Sequence, residues 1–128
     1  MIVQILDRLY VGDSEFTEEQ LDQHKITHVI NVGGVDLQND RVKYVHHLSD
    51  DGKNPAWKFS TILRHIEGIL TFTYSHRLLI VCREGKSRSA FIILLWLQKM
   101  GMSRDEAYQF IKEKHPIAQV NLDLLRSG

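Results

Sequence analysis

The sequence predicts an α/β fold, in which a central mixed, largely parallel sheet is flanked by helices on both faces. Strand-like and helix-like segments alternate along the chain, which is typical of a sheet covered by helices. The segment LLIV at residues 78–81 is a continuous apolar run of strand length, as expected for a strand buried on both faces. The chain has 128 residues, of which 43% are hydrophobic. That suffices for one core, and we expect a single domain over residues 1–128.

The first half of the chain predicts two strands, a short helix and two further strands. In chain order these elements cover residues 3–6, 8–12, 17–24, 27–32 and 42–48. The polar pair at 7–8 predicts a turn between the first two strands. Thr17 and Gln20 have the spacing of a capping box, which predicts that the helix begins there. The glycine pair at 33–34 predicts a turn after the third strand.

The second half predicts a helix, a buried strand and three more helices. These elements cover residues 56–73, 78–81, 87–100, 103–114 and 121–126. Apolar side chains recur at helical spacing within 59–70, which indicates one buried face. Gly101 is expected to close the third predicted helix, and Ser103 with Glu106 forms a second capping box. Asn121 is a candidate cap for the last short helix.

Composition limits the binding partners and the cellular location that the sequence predicts. Acidic and basic residues balance at 16 each, so no overall field favours nucleic acid or a membrane surface. The longest apolar run, residues 90–97, is far shorter than the roughly 20 residues of a membrane span. A single cysteine and no recognisable secretory signal predict a reducing, cytoplasmic location. A monomer with no stable membrane association is the expectation for this small neutral domain.

A short polar loop between the buried strand and the next helix carries the strongest functional signal. The sequence of residues 82–89 is CREGKSRS. A loop of this kind, opening a helix, presents backbone N–H groups and the positive end of the helix dipole to an anion. Arg88 adds a planar fork that matches two phosphate oxygens, and Gly85 allows a left-handed backbone. Such a positive environment favours the thiolate form of Cys82, which is a nucleophile.

A nucleotide-binding loop, a metal site and a purely structural cysteine fit this loop less well. A nucleoside-triphosphate loop requires a glycine five positions before Gly85, and that position holds Ile80. A lone cysteine excludes zinc-ribbon and paired-cysteine chemistry. Cys82 alone would more often be a small buried apolar residue than a nucleophile. Its combination with Gly85, Arg88 and Ser89 between a buried strand and a buried helix favours the functional interpretation.

Residues 81–89 resemble the cysteine phosphatase motif H-C-x-x-G-x-x-R-[S/T] in its small, atypical dual-specificity phosphatase form. The resemblance extends over nearly the whole chain, from the opening strand pair to the proline-to-asparagine segment at 116–121. It implies hydrolysis of phosphate monoesters without a metal or another cofactor. It further implies that Cys82 forms a phosphocysteine, that Arg88 binds the phosphoryl oxygens and that Ser89 stabilises the leaving thiolate. The implied substrate-binding loop consists of Arg83, Glu84, Gly85, Lys86, Ser87 and Arg88.

The family also requires an aspartate about thirty residues before the cysteine, as general acid and then base. The segment YVHHLSDDGKNP offers two candidates. Asp51 has the better spacing and is the predicted acid, with Asp50 as the alternative. Either aspartate could instead be an ordinary residue of an Asp-Gly turn.

The chain departs from the family pattern at Val81, where the motif has a histidine. That histidine organises the loop through hydrogen bonds, which valine cannot make. No other histidine is recognisable from the sequence as its replacement, and none has metal-ligand spacing. We expect a less acidic thiol and a modest loss of rate. A weakly active phospho-binding pseudophosphatase is the alternative.

The substrate is less well determined by the sequence. The short chain predicts a shallow site that accepts phosphotyrosine and phosphoserine/threonine in proteins or peptides, with phosphate, vanadate or sulfate as simple ligands. Basic loop residues at Arg83 and Lys86 are also found in phosphoinositide and phospholipid phosphatases, whereas Glu84 disfavours that class. The side chains of Arg83 and Lys86 could equally form a solvated loop edge.

Overall fold

The structure is a computed structural model, and it describes residues 1–36, 39–49 and 54–120. These residues contain five strands and four helices. The strands are β1 Ile2–Leu6, β2 Leu9–Gly12, β3 His28–Asn31, β4 Val42–Val45 and β5 Leu78–Val81. The helices are α1 Glu18–Gln23, α2 Ala56–Phe72, α3 Arg88–Lys99 and α4 Arg104–Lys114. Each agrees in type with the predicted element. The fourth strand ends at Val45, earlier than predicted, and the helix predicted over 121–126 lies outside the described residues.

The sheet has the order β1-β2-β5-β3-β4. Strands β1 and β2 form an antiparallel hairpin, whereas β2, β3, β4 and β5 run parallel. This confirms the predicted mixed, largely parallel sheet. Val81 is paired with Gly12 on one side and with Asn31 on the other. The carboxyl ends of β2, β5 and β3 therefore meet at one edge, with the residue after Val81 at its centre.

Alternate side chains of β5 enter two different cores. Leu78 and Ile80 pack in the larger core with buried residues of α2, α3 and α4. Leu79 and Val81 pack in a smaller core that includes Leu21 of α1. Both faces of the sheet are thus covered, as the uninterrupted apolar run predicts. Each fully buried aliphatic side chain contributes about 1.5–3 kcal/mol to folding.

Arg8 joins the first hairpin to the end of α2. It lies in the hairpin turn with a positive φ of 64°, and its guanidinium donates to the carbonyls of Leu70, Thr73 and His76. These carbonyls belong to the C-terminal end of α2 and the turn after it, where helical backbone groups lack helical partners. Arg8 therefore positions α2 against the sheet and fixes the approach to β5.

Candidate active site at the β5–α3 loop

Cys82 lies at the centre of the carboxyl edge of the sheet, immediately after β5. Its side chain is buried, and the residue as a whole is 2% exposed. Its backbone N–H donates to the Gly12 carbonyl at 3.3 Å, which continues the pairing with β2. Its Sγ lies 3.2 Å from Ser89 Oγ, which is fully buried in the first turn of α3. The structure thus brings together two of the predicted catalytic residues.

A small cavity of about 140 Å³ opens above Cys82. It is lined by Cys82, Arg83, Glu84, Ser87 and Arg88. Helix α3 begins at Arg88, and the side chain of its N-cap, Ser87, makes no capping hydrogen bond. The first N–H groups of the helix therefore have no side-chain acceptor there and can serve a bound anion. The arrangement has room for a small oxyanion and offers it the guanidinium of Arg88.

Three carbonyls of this loop are bound from outside it. The Arg83 carbonyl accepts from the Ser14 N–H at 3.1 Å, and the Lys86 carbonyl accepts from the Gln119 N–H at 2.7 Å. The Gly85 carbonyl accepts from His115 Nε2 at 2.7 Å. Since C=O and N–H point in opposite directions in a trans peptide, each contact turns the following N–H away from the outside partner.

Gly85 is required by both conformation and space. Its φ is +68°, in the left-handed region that other residues avoid. A Cβ at this position would lie 3.0 Å from the backbone of Gly12 and Asp13. The loop therefore packs directly on the end of β2, which explains the glycine that the motif predicts.

Gly33 contacts Cys82 from the other side, and sequence reasoning identified it only as a turn residue. A Cβ at Gly33 would lie 2.6 Å from Cys82 Cα and 2.7 Å from its Cβ. Buried Asn31 holds the Gly33 turn, because its Oδ1 accepts from the N–H groups of Gly33 and Val35 at 3.2 and 3.1 Å. The Asn-Val-Gly-Gly sequence after an apolar strand was the available signal, but it does not specify contact with Cys82.

Arg88 is connected to the segment that leads towards the predicted general acid. Its Nη1 donates to the Leu48 carbonyl at 3.0 Å. One residue further on, Ser49 makes two hydrogen bonds of 2.7 Å with the buried side chain of Asn54, one through its N–H and one through its carbonyl. These bonds join the two ends of the segment 50–53. The candidate acids Asp51 and Asp50 fall in that segment, which lies outside the described residues.

Val81 has no part in the polar contacts of the loop. Its side chain is fully buried among apolar neighbours on the α1 face of the sheet, including Tyr10, Val29 and Leu79. The cysteine that follows belongs to the opposite core. The side chain that replaces the motif histidine therefore contributes packing and no hydrogen bond.

His115 contacts the loop although the sequence offered no histidine in that role. It lies at the C-terminal end of α4, is 2% exposed and reaches Gly85 across 30 positions of sequence. No local pattern could have identified this contact, because a histidine followed by proline is equally typical of a helix end. The contact depends on how α4 packs against the rest of the fold.

A separate group of histidines lies around α2. Burial, followed by the charge of His76, lowers the pKa of His28 below its usual 6.5. Burial, followed by the charges of His65 and His47, lowers the pKa of His46. Over the described ranges, no three His, Cys, Asp or Glu side chains are grouped so that they could hold a metal ion. Within those ranges no helix is long and apolar enough to span a bilayer.

The fold and this loop define the class of protein: an α/β domain with a buried cysteine and an arginine around a small cavity at the carboxyl edge of its sheet. A family model for the dual specificity phosphatase catalytic domain matches residues 9–127. The chain therefore belongs to the dual specificity phosphatase family, which confirms the resemblance found in the sequence.

Individual relatives agree with this assignment. A probable rhodanese domain-containing dual specificity protein phosphatase of Dictyostelium discoideum is 30% identical over 132 residues, which cover 95% of this chain and 27% of that protein. The chain thus spans about a quarter of that relative's length. A mouse putative dual specificity phosphatase solved with zinc tungstate superposes with a TM-score of 0.86 at 22% identity, covering 96% of this chain and 80% of the other. Human DUSP28 gives 0.83 at 22% identity, with 95% and 89% covered. These two structural likenesses concern the fold.

Proposed function

We propose that this chain is a metal-independent protein phosphatase that hydrolyses phosphotyrosine and phosphoserine/threonine through a phosphocysteine on Cys82. The observation that carries the proposal is the position of Cys82 Sγ beneath the cavity, 3.2 Å from Ser89 Oγ and beside Arg88. None of the side chains lining that cavity is aromatic among the described residues, which supports access for short as well as long phosphorylated side chains.

In the first step, the Cys82 thiolate attacks phosphorus and the bond from phosphorus to the ester oxygen breaks. Arg88 and the loop N–H groups bind the equatorial oxygens, where charge is greatest in the transition state. Asp51 gives its proton to the leaving oxygen, so that the alcohol or phenol departs neutral.

In the second step, water attacks the phosphocysteine and the bond from phosphorus to sulfur breaks. Asp51, now a carboxylate, takes a proton from the attacking water. The sulfur leaves as a thiolate, and the Ser89 hydroxyl donates a hydrogen bond to it. Phosphate is released and the starting protonation state is restored, so neither step needs a metal or another cofactor.

Hydrolysis of para-nitrophenyl phosphate in the presence of EDTA tests the proposal. We expect turnover by the native chain, none by Cys82→Ser, and a loss of about 10²–10⁴-fold in kcat for Asp51→Asn. Tungstate binding by Asp51→Asn should persist, because the proposal assigns anion binding to Arg88 and the loop N–H groups and gives Asp51 only the proton transfer. A larger effect of Asp50→Asn would assign the acid to Asp50. Turnover that survives Cys82→Ser would contradict the proposal.

The second candidate function is a phospho-binding module with little or no turnover. It is supported by Val81, which supplies no hydrogen bond to the loop. Tungstate or vanadate binding without turnover by the native chain would select this function. A phosphoinositide or phospholipid phosphatase, for which exposed Arg83 is the supporting feature, would instead prefer inositol or glycerol phosphates to phosphopeptides in kcat/KM.

The proposal also includes the cellular location and the oligomeric state. We propose a single catalytic domain over residues 1–128 that acts as a cytoplasmic monomer on phosphorylated proteins or peptides. The single cysteine supports this setting, because a thiolate nucleophile needs a reducing environment to stay active.

A further inference from the structure

We propose that His115 is a positioning residue that holds the phosphate-binding loop in its anion-binding conformation, a support that position 81 does not give. The proposal rests on the proposed function, since it names a residue that acts on the same site. It concerns a contact between the end of α4 and the centre of the loop, two segments that the sequence motif does not connect.

The contact is short, buried and of defined polarity. His115 Nε2 lies 2.7 Å from the Gly85 carbonyl oxygen. Since a carbonyl can only accept, Nε2 carries the proton and donates it. His115 is 2% exposed, so water cannot readily replace the imidazole if it is removed. Loss of a buried partner leaves the remaining group unsatisfied, which makes this contact costly to break.

His115 is itself held by its surroundings. Its N–H donates to the Ile111 carbonyl at 2.7 Å, and its own carbonyl accepts from the Ala118 N–H at 2.9 Å. The Lys112 ammonium donates to the carbonyls of Pro116 and Ala118 at 2.7 and 2.8 Å. The turn after α4 is therefore closed by four hydrogen bonds, and it presents the imidazole from a defined place.

The partner of His115 is the loop residue with the greatest backbone freedom. Gly85 has a φ of +68° and, as a glycine, can adopt many other conformations when it is not restrained. Binding its carbonyl from outside fixes the Gly85–Lys86 peptide and turns the Lys86 N–H back over the loop. The Gln119 N–H binds the next carbonyl, that of Lys86, in the same way. Together the two contacts orient consecutive N–H groups for an oxyanion.

Three substitutions of His115 distinguish the effect of losing the hydrogen-bond donor from the effect of losing side-chain packing. His115→Leu removes the donor, and His115→Gln keeps an N–H donor at a similar reach. His115→Asn keeps an amide donor, but its side chain is too short to reach the Gly85 carbonyl. Ile111→Ala is the matched control, because Ile111 is also buried in α4 and its substitution leaves the His115 imidazole in place. Thermal unfolding of each variant shows whether it is folded.

Two readouts report on the loop without requiring turnover. The first is the affinity for tungstate. The second is the rate of iodoacetamide modification against pH, followed by mass, which reports a single site because Cys82 is the only cysteine. We expect His115→Leu and His115→Asn to weaken tungstate binding about tenfold and to move the alkylation profile to higher pH. His115→Gln should stay within about threefold of the native chain, and Ile111→Ala should lose stability without either change.

The outcomes separate this proposal from the proposed function. Unchanged tungstate affinity in the folded His115→Leu or His115→Asn variants would overturn the role of His115. Equal weakening by Ile111→Ala would overturn it as well, because the effect would then be general destabilisation. If His115→Leu does not fold, the contrast between His115→Gln and His115→Asn decides. A native chain that binds tungstate but hydrolyses nothing would remove the proposed function and leave the positioning role standing.

Discussion

Gly33 lies directly against Cys82, although the two residues belong to different segments of the chain. A Cβ at Gly33 would overlap the Cα and Cβ of Cys82 at 2.6 and 2.7 Å. Real Cβ atoms do not approach so closely, and the neighbour here is backbone that cannot move aside without moving the loop. The position of the cysteine is therefore set partly by the absence of a side chain at Gly33.

We expect Gly33→Ala to displace Cys82 and to cost about 1–3 kcal/mol of folding free energy, as overpacking usually does. Tungstate affinity and phosphatase activity should fall together. Gly34→Ala is the matched control, because it lies in the same turn and its Cβ would meet nothing within 4 Å. It carries only the strain of a φ of +68°, so it should lose stability and keep tungstate affinity. Equal tungstate affinity in Gly33→Ala and the native chain would contradict the expectation.

His28 gives the molecule a sensitivity to acid at the edge opposite the active site. Its pKa is lowered by burial first and by His76 second, and its ring lies 4.2 Å from that of His76. Arg64 lines a cavity of about 300 Å³ together with His28 and His76, so a further positive charge faces His28. The folded state thus keeps His28 neutral at a pH where the unfolded chain takes up a proton. The contribution of neutral His28 to the free energy of unfolding is therefore fully present above about pH 6.5. It becomes progressively smaller as the pH falls below that value.

We expect the free energy of unfolding to fall as pH is lowered from about 7.5 to 5.5, by at most about 1.4 kcal/mol per pH unit for His28. Urea unfolding at a series of pH values measures the slope. His28→Gln should reduce it, because glutamine has no titratable ring. A slope that is the same in His28→Gln and the native chain would assign the acid sensitivity to other groups.

Residues differ in how far the sequence could predict them. Cys82, Gly85, Arg88 and Ser89 were recognisable because they lie within one short segment, and their spacing carries the signal. Gly33 and His115 reach the same loop through tertiary packing, and nothing in their own neighbourhoods distinguishes them from ordinary turn and helix-end residues.

At the scale of elements, the capping boxes were the most reliable signals. Thr17 with Gln20 and Ser103 with Glu106 form the reciprocal bonds that their spacing predicts. Capping depends on a few neighbouring residues, so local sequence suffices. The Ser103 hydrogen bonds also lower the pKa of Glu106, which fixes the carboxylate at the start of α4. The length of β4 was overestimated, because its end depends on pairing with β3 and not on its apolar residues alone.

The connection between β4 and α2 contains a second polar feature, the pair of hydrogen bonds between Asn54 and Ser49. We expect Asn54→Ala to lower kcat, because these bonds join the ends of the segment that carries the candidate acids. Tungstate affinity should change little, since neither residue lines the anion cavity. Losing the two hydrogen bonds of this buried side chain should cost about 1–3 kcal/mol of stability.

Steady-state kinetics with tungstate titration and thermal unfolding separate these effects. Asn39→Ala is a suitable control, because Asn39 also accepts a hydrogen bond from a nearby backbone N–H, at a different loop. It should leave kcat unchanged. A folded Asn54→Ala variant with native kcat would show that the hydrogen bonds between Ser49 and Asn54 do not matter for turnover.

At the scale of the whole molecule, the parallel sheet brings the functional segments together. The carboxyl ends of β2, β3 and β5 meet at one edge. Leu48, which follows β4, and His115, which follows α4, each form a hydrogen bond to a residue of the loop at that edge. Alternation of strands and helices was enough to predict this class of fold. The strand order was not predictable, because it depends on long-range pairing that no local pattern encodes.

Anion binding at that edge should stabilise the entire domain. A ligand at a hundred times its dissociation constant adds about 2.7 kcal/mol to the folded state. We expect tungstate to raise the melting temperature of the native chain by several degrees, and Arg88→Met to abolish the shift. Arg104→Met, which removes an exposed arginine at the start of α4, should keep it. The same shift in Arg88→Met would place the bound anion elsewhere.

The contact between His115 and Gly85 also bears on the order in which the site forms during synthesis of the chain. A ribosome releases the loop well before it releases His115, since 30 positions separate the two residues. A nascent chain that has just exposed residues 82–89 therefore holds every residue of the motif but lacks the outside partners of two loop carbonyls. On this basis the anion site matures late in biosynthesis, when α4 and the turn after it dock onto a sheet that is already formed.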